Sequence, residues 1–529
     1  MTTARTLRSG FLRSVERFGD REALALGEHS LTYAELYARA ARVAATLDRH
    51  AGDGEGQLTA VFGHRDPTAF AGILGALLRG HGYVPLNPAF PTDRTRAMLA
   101  RSRCRCVVVD PTAVAQLDEL LDGLEGPRVV LLPDADDVAE LAARWPAHTF
   151  LGAADLAPAD AVTLGDAEPD AIGYLLFTSG STGQPKGVMV SHGNVVAFVD
   201  AMVERYAIDE NDRFSNTFDL TFDLSAFDMF VAWERGACLC VPTAQEKLFP
   251  GKYVKRHGLT VWFSVPSTGV LMKRLRMLKP GAYPTLRWSL FCGEALPVEV
   301  IEAFAEAAPA SVAENLYGPT ELTIACTLYR WDAERSPTES LHGVVPIGEP
   351  YPHMVVRVSD ESFHEVPRGE AGELLMTGPQ MSLGYWEDAE RTAAAFVVPP
   401  GETRTFYRTG DRVRYPEGGP LVYLGRVDNQ IKIQGYRVEL GEIEAVLRDV
   451  SGAEVAIAVG WPKTASGADG IVGFVGEPKA DPIAVLSAAR ERLPSYMQPS
   501  AIHLVDTFPL NANGKVDRKA LIARLEAAP

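Results

Sequence analysis

Helix-period and strand-like segments alternate through the early part of the chain, and this alternation constrains the fold more than any other feature. Residues 34–50 repeat apolar side chains at helical spacing, 58–64 form a short apolar run, 69–80 return to helix and 82–87 to strand. Strands and helices in that order bury their apolar faces by stacking helices on sheets, so the expected class is α/β with layered sheets. No fixed-period repeat interrupts the pattern. Residues 134–170, rich in Ala, Asp and Pro, read as a decorated surface segment and not as a domain boundary.

Length multiplies these layers. At 529 residues with 47% hydrophobic side chains, the chain is several times the usual domain of about 100–150 residues and can fill more than one core. A boundary falls near Asp428, where the strand-like LVYLGRV gives way to DNQIKIQGYRVELGEIEAVLRDV. The expectation is a large body over residues 1–427 and a small, mobile α+β domain over 428–529. The latter reads as a strand IKIQGYRV, a helix, two further strands and a second helix.

Charge excludes one class of partner. The 51 Lys and Arg against 68 Asp and Glu leave a net charge of −17, the wrong sign for a general nucleic-acid surface. No apolar run approaches the ~18 residues of a membrane span. The Arg-bearing start (Arg5, Arg8, Arg13, Arg17) lacks the apolar region of a signal peptide. No membrane partner is expected, and a cytoplasmic location is. Six cysteines are too few for a disulfide framework at this length, and no second C-x-x-C or His pair accompanies the two C-x-C pairs, so they read as buried small hydrophobes.

Chemistry concentrates in YLLFTSGSTGQPKGVMVSHGNVVAFV, residues 174–199. Between a strand and a helix, Thr178, Ser179, Gly180, Ser181, Thr182 and Lys186 offer hydroxyls, free backbone N–H groups and one cation, a set that suits a polyphosphate. It is not a Walker A loop, because Pro185 precedes Lys186 and Gly187 follows it. Seven further motifs stand in order: GYVPLNPAFP (82–91), FDLSAFDMF (222–230), LYGPTE (316–321), GEL (372–374), YRTGD (407–411), GRVDNQIKIQGYRVELGEIE (425–444) and NANGKVDR (511–518). Together they resemble the adenylate-forming superfamily, in particular the amino-acid adenylation domains of nonribosomal peptide synthesis and the D-alanine:carrier protein ligases.

The resemblance implies two half-reactions with ATP and Mg²⁺. A carboxylate attacks the α-phosphate to give an acyl-adenylate and pyrophosphate, and a nucleophile then displaces AMP. It gives Thr178, Ser179 and Lys186 to the leaving phosphates, Thr320 to the α-phosphate and Glu321 to Mg²⁺, an oxygen-seeking cation. Tyr317 offers a face to adenine, Asn315 and the backbone of Gly293, Glu294 and Ala295 bind its edge, and Asp411 with Arg426 takes the ribose. Lys515, one of only 11 lysines against 40 arginines, would enter on the small domain to drive adenylation. Asp428 would be the hinge with Lys432 beside it, and Gly435 would line a phosphopantetheine tunnel after rotation.

Asp223 occupies the place that pairs with the substrate ammonium in amino-acid-activating relatives. Leu224, Phe227, Ser267, Leu290, Cys292, Leu316, Gly318, Ile324 and Ala325 fall at the side-chain pocket, apolar except for Ser267 and the glycine. A charged side chain would be left unpaired there, so the expected substrate is a small neutral amino acid, alanine first and serine, glycine, valine or a small β-amino acid behind it. Carry-over does not fix chirality. The enzyme is expected to stand free and to meet a phosphopantetheinyl carrier protein in trans. Three alternatives remain: an amide-forming ligase using an amine, an acyl-CoA synthetase, which Asp223 disfavours, and a non-catalytic module, which would not need Lys515 and Glu321.

Overall fold

The computed structural model describes residues 5–51, 56–180, 185–427, 430–464, 467–476, 478, 480–510 and 516–527. The expected alternation is realised as two large sheets. In the first, of eight strands, Ile172–Thr178, Gly82–Leu86, Leu58–Phe62, Cys106–Val109, Val129–Leu131 and Thr149–Leu151 run parallel, and Lys186–Ser191 and Gly384–Tyr385 close one edge antiparallel. The second has nine strands around a parallel centre that includes Val261–Ser264, Trp288–Phe291 and Val312–Tyr317.

Local chemistry sets the helices that separate the sheets. Tyr33–His50 starts on a reciprocal Thr32/Glu35 capping box, which satisfies two free N–H groups of the first turn. Pro67–Leu78 is capped by Asp66, carries Pro at its first position and is buried from Thr68 to Leu78. A helix apolar all round belongs inside, and this one packs between layers. His192–Tyr206, capped by Ser191, puts Val195, Phe198 and Met202 into the same core.

A five-stranded sheet completes the body. In it Ala371–Thr377 pairs with Phe406–Arg414, which joins the GEL and YRTGD motifs, and Val422–Arg426 pairs alongside. The small domain has its own core, with Ile443, Leu447, Val475, Val485 and Leu493 packed between helices and a three-stranded sheet. All six cysteines are free and buried. No described helix is long and apolar enough to cross a membrane.

Two expectations need correction. Residues 134–170 are more than decoration, because Thr149–Leu151 is the edge strand of the eight-stranded sheet and Ala139–Arg144 is a helix. IKIQGYRV is not one strand but a hairpin, Gln430–Ile433 against Tyr436–Glu439. Its two loop residues, Gln434 and Gly435, both sit at positive φ, 50° and 85°, the backbone of the tight turn that matches strand twist. The expected hinge, Asp428, lies outside the described residues.

Candidate active site

The site lies where both large sheets end against the small-domain hairpin. Thr178 and Lys186 face each other across the antiparallel pair that frames the Gly/Ser loop. Ser181 and Thr182 of that loop lie outside the described residues. Lys186 Nζ donates to Glu321 Oε1 at 3.0 Å and to the Tyr385 hydroxyl at 3.1 Å, and Tyr385 donates to the same carboxylate oxygen at 2.7 Å. Arg437, on the hairpin, holds Glu321 Oε2 at 3.2 Å. Burial works to raise the Glu321 carboxyl, but Lys186, Arg437 and the Tyr385 hydroxyl outweigh it and keep the group ionised well below the usual carboxylate range.

The loop is also engaged by the small domain. The Ser179 hydroxyl donates to the Arg437 carbonyl, Glu442 accepts from the Gly180 N–H, and Arg94 pairs with Glu442. The Thr178 hydroxyl is buried with no partner among the described residues.

The nucleotide-binding candidates lie along a second cleft and where it meets the first, which Asp411 lines. Asp411 and Arg426 sit opposite each other in the sheet and pair at 2.6 Å, while the Tyr317 hydroxyl donates to the other Asp411 oxygen at 2.5 Å. Each oxygen keeps acceptor capacity for a further donor. Gly293, Glu294, Ala295, Asn315 and Lys432 line this cleft with Tyr317 and Arg426. Asn315 donates to the Pro346 carbonyl at 2.9 Å, and its own amide oxygen is buried without a partner among the described residues. Glu294 faces the hairpin through its side chain, accepting from the Gly435 N–H at 2.6 Å and the Ser267 N–H at 2.8 Å. A Cβ on Gly435 would come within 2.3 Å of Val265, so glycine permits this approach.

Asp223 is 7% exposed and pairs with no cation among the described residues. Ile324 N–H donates to it at 3.1 Å. Burial pushes its carboxyl up to about 7 despite that bond and one from Thr320. The donor is aimed by unusual backbone, since Thr323 and Ile324, both β-branched, stand at φ 56° and 73°, a region such residues rarely adopt.

Leu224, Cys292, Gly318 and Thr320 share the cleft with Asp223. Phe227, Leu290, Ile324 and Ala325 pack behind it in the core, Phe227 with its ring 4.6 Å from that of Phe263. Leu316 reaches only the second cleft, and Ser267 serves Glu294. Burial pushes the Cys292 thiol up to about 12, so it is a neutral wall and not a nucleophile.

Sequence reasoning missed Tyr385 and gave Arg437 no role. Tyr385 reaches Glu321 only because the two-residue strand Gly384–Tyr385 pairs with Lys186–Ser191, a contact without local signal. Lys515 lies outside the described residues. As a ligand for Mg²⁺, Glu321 is the right kind of donor, and the described residues hold no cluster of three or more His, Cys, Asp or Glu side chains. Lys186 and Arg437 hold its two oxygens, so an ion bound at Glu321 would need phosphate oxygens to complete its shell.

The AMP-binding enzyme family matches residues 11–386, and the AMP-binding enzyme C-terminal domain matches residues 442–515. The chain is 35% identical over 97% of its length to AMB antimetabolite synthetase AmbB of Pseudomonas aeruginosa, of which it spans 38%. It is also 35% identical to the L-proline--[L-prolyl-carrier protein] ligase of Streptomyces coelicolor, covering 95% of this chain and 93% of that one. Among solved structures, the Vibrio cholerae adenylation domain AlmE, in complex with glycyl-adenosine-5′-phosphate, superposes with a TM-score of 0.89 at 32% identity over 100% of this chain and 99% of its own.

Proposed function

The chain belongs to the AMP-binding enzyme family of adenylate-forming ligases, and on that premise we propose that it activates a small neutral amino acid, alanine first, and passes it to a phosphopantetheinyl carrier protein. One observation carries the amino-acid reading. Asp223 is a buried carboxyl without a counter-cation, raised to about 7 and open to the same cleft as Thr320. An incoming ammonium supplies the missing charge and converts a costly buried acid into an ion pair. A plain carboxylic acid would leave that cost in place.

Size follows from where the cleft stops. Leu224 and Cys292 wall it beside Asp223, and the residues behind them are packed core. In this reading a small side chain fits beside them, and one that pushes into the packed core costs about 1–3 kcal/mol of overpacking. The relative solved with glycyl-adenosine-5′-phosphate supports a small substrate.

In this reading Asp223 holds the ammonium and the substrate carboxylate lies near Thr320. ATP enters with adenine between Tyr317 and the orphaned Asn315 oxygen and with its ribose on Asp411. The unpartnered Thr178 hydroxyl, Ser179, Gly180 and Lys186 receive the β,γ-phosphates, with Ser181 and Thr182 completing the loop. Mg²⁺, when bound, neutralises phosphate charge beside Glu321. Charge neutralisation and alignment are what phosphoryl transfer requires. Ser179 and Gly180 are occupied by the small domain in the described arrangement, so ATP binding and this docking exclude each other. Lys515 then acts with the hairpin withdrawn, and the docked hairpin, with Gly435 on Glu294, belongs to aminoacyl transfer.

The test is ATP–pyrophosphate exchange across L-alanine, D-alanine, glycine, serine, valine, phenylalanine and a charged amino acid, followed by mass spectrometry of a holo-carrier. Faster exchange with phenylalanine or a charged substrate would overturn the size assignment. Exchange driven best by a plain carboxylic acid would overturn the role of Asp223.

A further inference from the structure

The half-reactions above leave one buried phenol of the site, Tyr385, without a task. It is 4% exposed, and backbone on both sides fixes it. Its strand, Gly384–Tyr385, pairs with Lys186–Ser191 and sets Tyr385 opposite Val188. Its N–H donates to the Thr392 hydroxyl at 3.0 Å, and its ring meets that of Phe396 at 6.0 Å between centroids. The chain just before it is tied to the loop that carries Glu321, because the Ser382 N–H donates to the Glu321 carbonyl at 2.9 Å.

The hydroxyl closes a triangle. Lys186 Nζ donates to Glu321 Oε1 at 3.0 Å and to the Tyr385 oxygen at 3.1 Å, while the Tyr385 hydroxyl donates to the same Oε1 at 2.7 Å. The ammonium also lies 4.6 Å from the centroid of the Tyr385 ring. Arg437 holds the other oxygen, Oε2, at 3.2 Å. Burial and then the Glu321 charge raise the phenol well above its ordinary range, so it stays protonated and donates. Among the described residues no fourth side chain donates to this carboxylate.

Adenylation, as read above, takes two of the three partners away. Lys186 turns to the β,γ-phosphates, and Arg437 leaves with the hairpin. Glu321 is 1% exposed, and a buried carboxylate stripped of donors is costly and free to turn. Tyr385 remains, because its strand belongs to the sheet of the body. We propose that Tyr385 is a positioning residue for adenylation: its hydroxyl keeps Oε1 of Glu321 engaged when Lys186 and Arg437 have gone, so that Oε2 is the oxygen presented to Mg²⁺. This rests on the adenylation reading and on Glu321 as the carboxylate for the ion. A hydroxyl suits the task better than a further cation, since it orients the carboxylate without neutralising the charge that a divalent ion requires.

Tyr385→Phe deletes the hydroxyl and keeps the ring. Mn²⁺ is the probe for the ion, and its binding to the full chain with α,β-methylene-ATP, followed by EPR, should weaken about tenfold, the lower end for one hydrogen bond to a charged group. Affinity for the metal-free nucleotide, by calorimetry, should stay within about twofold. In ATP–pyrophosphate exchange the half-saturating Mg²⁺ should rise about tenfold, with kcat at saturating Mg²⁺ falling less than about threefold. On a Glu321→Gln background the same substitution should weaken Mn²⁺ binding by less than about twofold, as expected of a residue that acts through Glu321. Phe396→Leu loosens the packing of the ring but leaves the hydroxyl, and should lower the melting temperature without changing Mn²⁺ affinity. Unchanged Mn²⁺ binding in Tyr385→Phe, where Glu321→Gln loses it, overturns the role of Tyr385 and leaves Glu321 in place. A Glu321→Gln variant that binds Mn²⁺ and nucleotide like the wild type overturns the carboxylate reading and the proposal with it. Equal loss of nucleotide affinity with and without metal would place Tyr385 in the service of Lys186 and refutes the proposal as well.

Discussion

Replacing Asp223 by Asn removes the charge but keeps a carbonyl oxygen for the Ile324 N–H, which now donates at 3.1 Å. Deleting one partner of a buried ion pair costs about 3–5 kcal/mol, and at 1.4 kcal/mol per tenfold this is a loss of roughly 150- to 4,000-fold in kcat/KM for the amino acid. The wild-type carboxyl must ionise before it can bind an ammonium. With its pKa pushed up to about 7, half of the free sites are protonated at neutral pH, and about ten in eleven one unit lower. The wild-type KM for the amino acid should therefore rise about fivefold from pH 7 to pH 6 and change less than about twofold from pH 7 to pH 8. The ATP KM should not follow, and Asp223→Asn should flatten the profile. Pyrophosphate exchange with varied amino acid at saturating ATP measures each quantity. A wild-type KM that is flat between pH 6 and 8, or an Asn variant within tenfold of wild type, would refute the assignment of Asp223 to the ammonium.

The same shift has a stability consequence: a carboxyl raised from 3.8 to about 7 favours the fold at low pH and loses that contribution as pH climbs to 7, up to about 4 kcal/mol. Asp223→Asn should accordingly raise the melting temperature of the unliganded protein at pH 8 and change it little at pH 4, as differential scanning fluorimetry would show. Lys515→Ala should abolish pyrophosphate exchange but spare transfer from supplied aminoacyl-adenylate, and equal loss of both steps would remove Lys515 from adenylation. Asn315→Leu deletes the unpartnered amide oxygen and should raise the ATP KM about tenfold, the value of one or two hydrogen bonds, without altering the amino-acid KM. Cys292→Ala should increase exchange with valine relative to alanine, and an unchanged ratio would show that the thiol does not bound the substrate.

What the sequence made legible is what depends on neighbours in the chain. Thr178 stands opposite Lys186 because the strands that flank the Gly/Ser segment are close in sequence and pair antiparallel. Asp411 and Arg426 pair across adjacent strands 15 residues apart. The hairpin was misread because IKIQGYRV keeps strand-like residues on both sides of Gln434-Gly435, and the turn is signalled only by the glycine, at φ 85°. That single step decides the site, since it turns Arg437 toward Glu321 and Gly435 toward Glu294. The positive φ of Thr323 and Ile324 had no sequence signal at all, because β-branched residues argue against it. Such backbone persists only when its surroundings over-determine it. Here the Thr323 hydroxyl donates to the Gln380 carbonyl, and the Gln380 amide donates back to the Leu322, Thr323 and Ala325 carbonyls. Gln380, which touches no cleft-lining residue among these, thereby holds the Ile324 N–H on Asp223. The carboxylate proposed to hold the substrate ammonium is thus positioned through a buried amide 157 residues away in sequence, in the connection between the strands Ala371–Thr377 and Gly384–Tyr385.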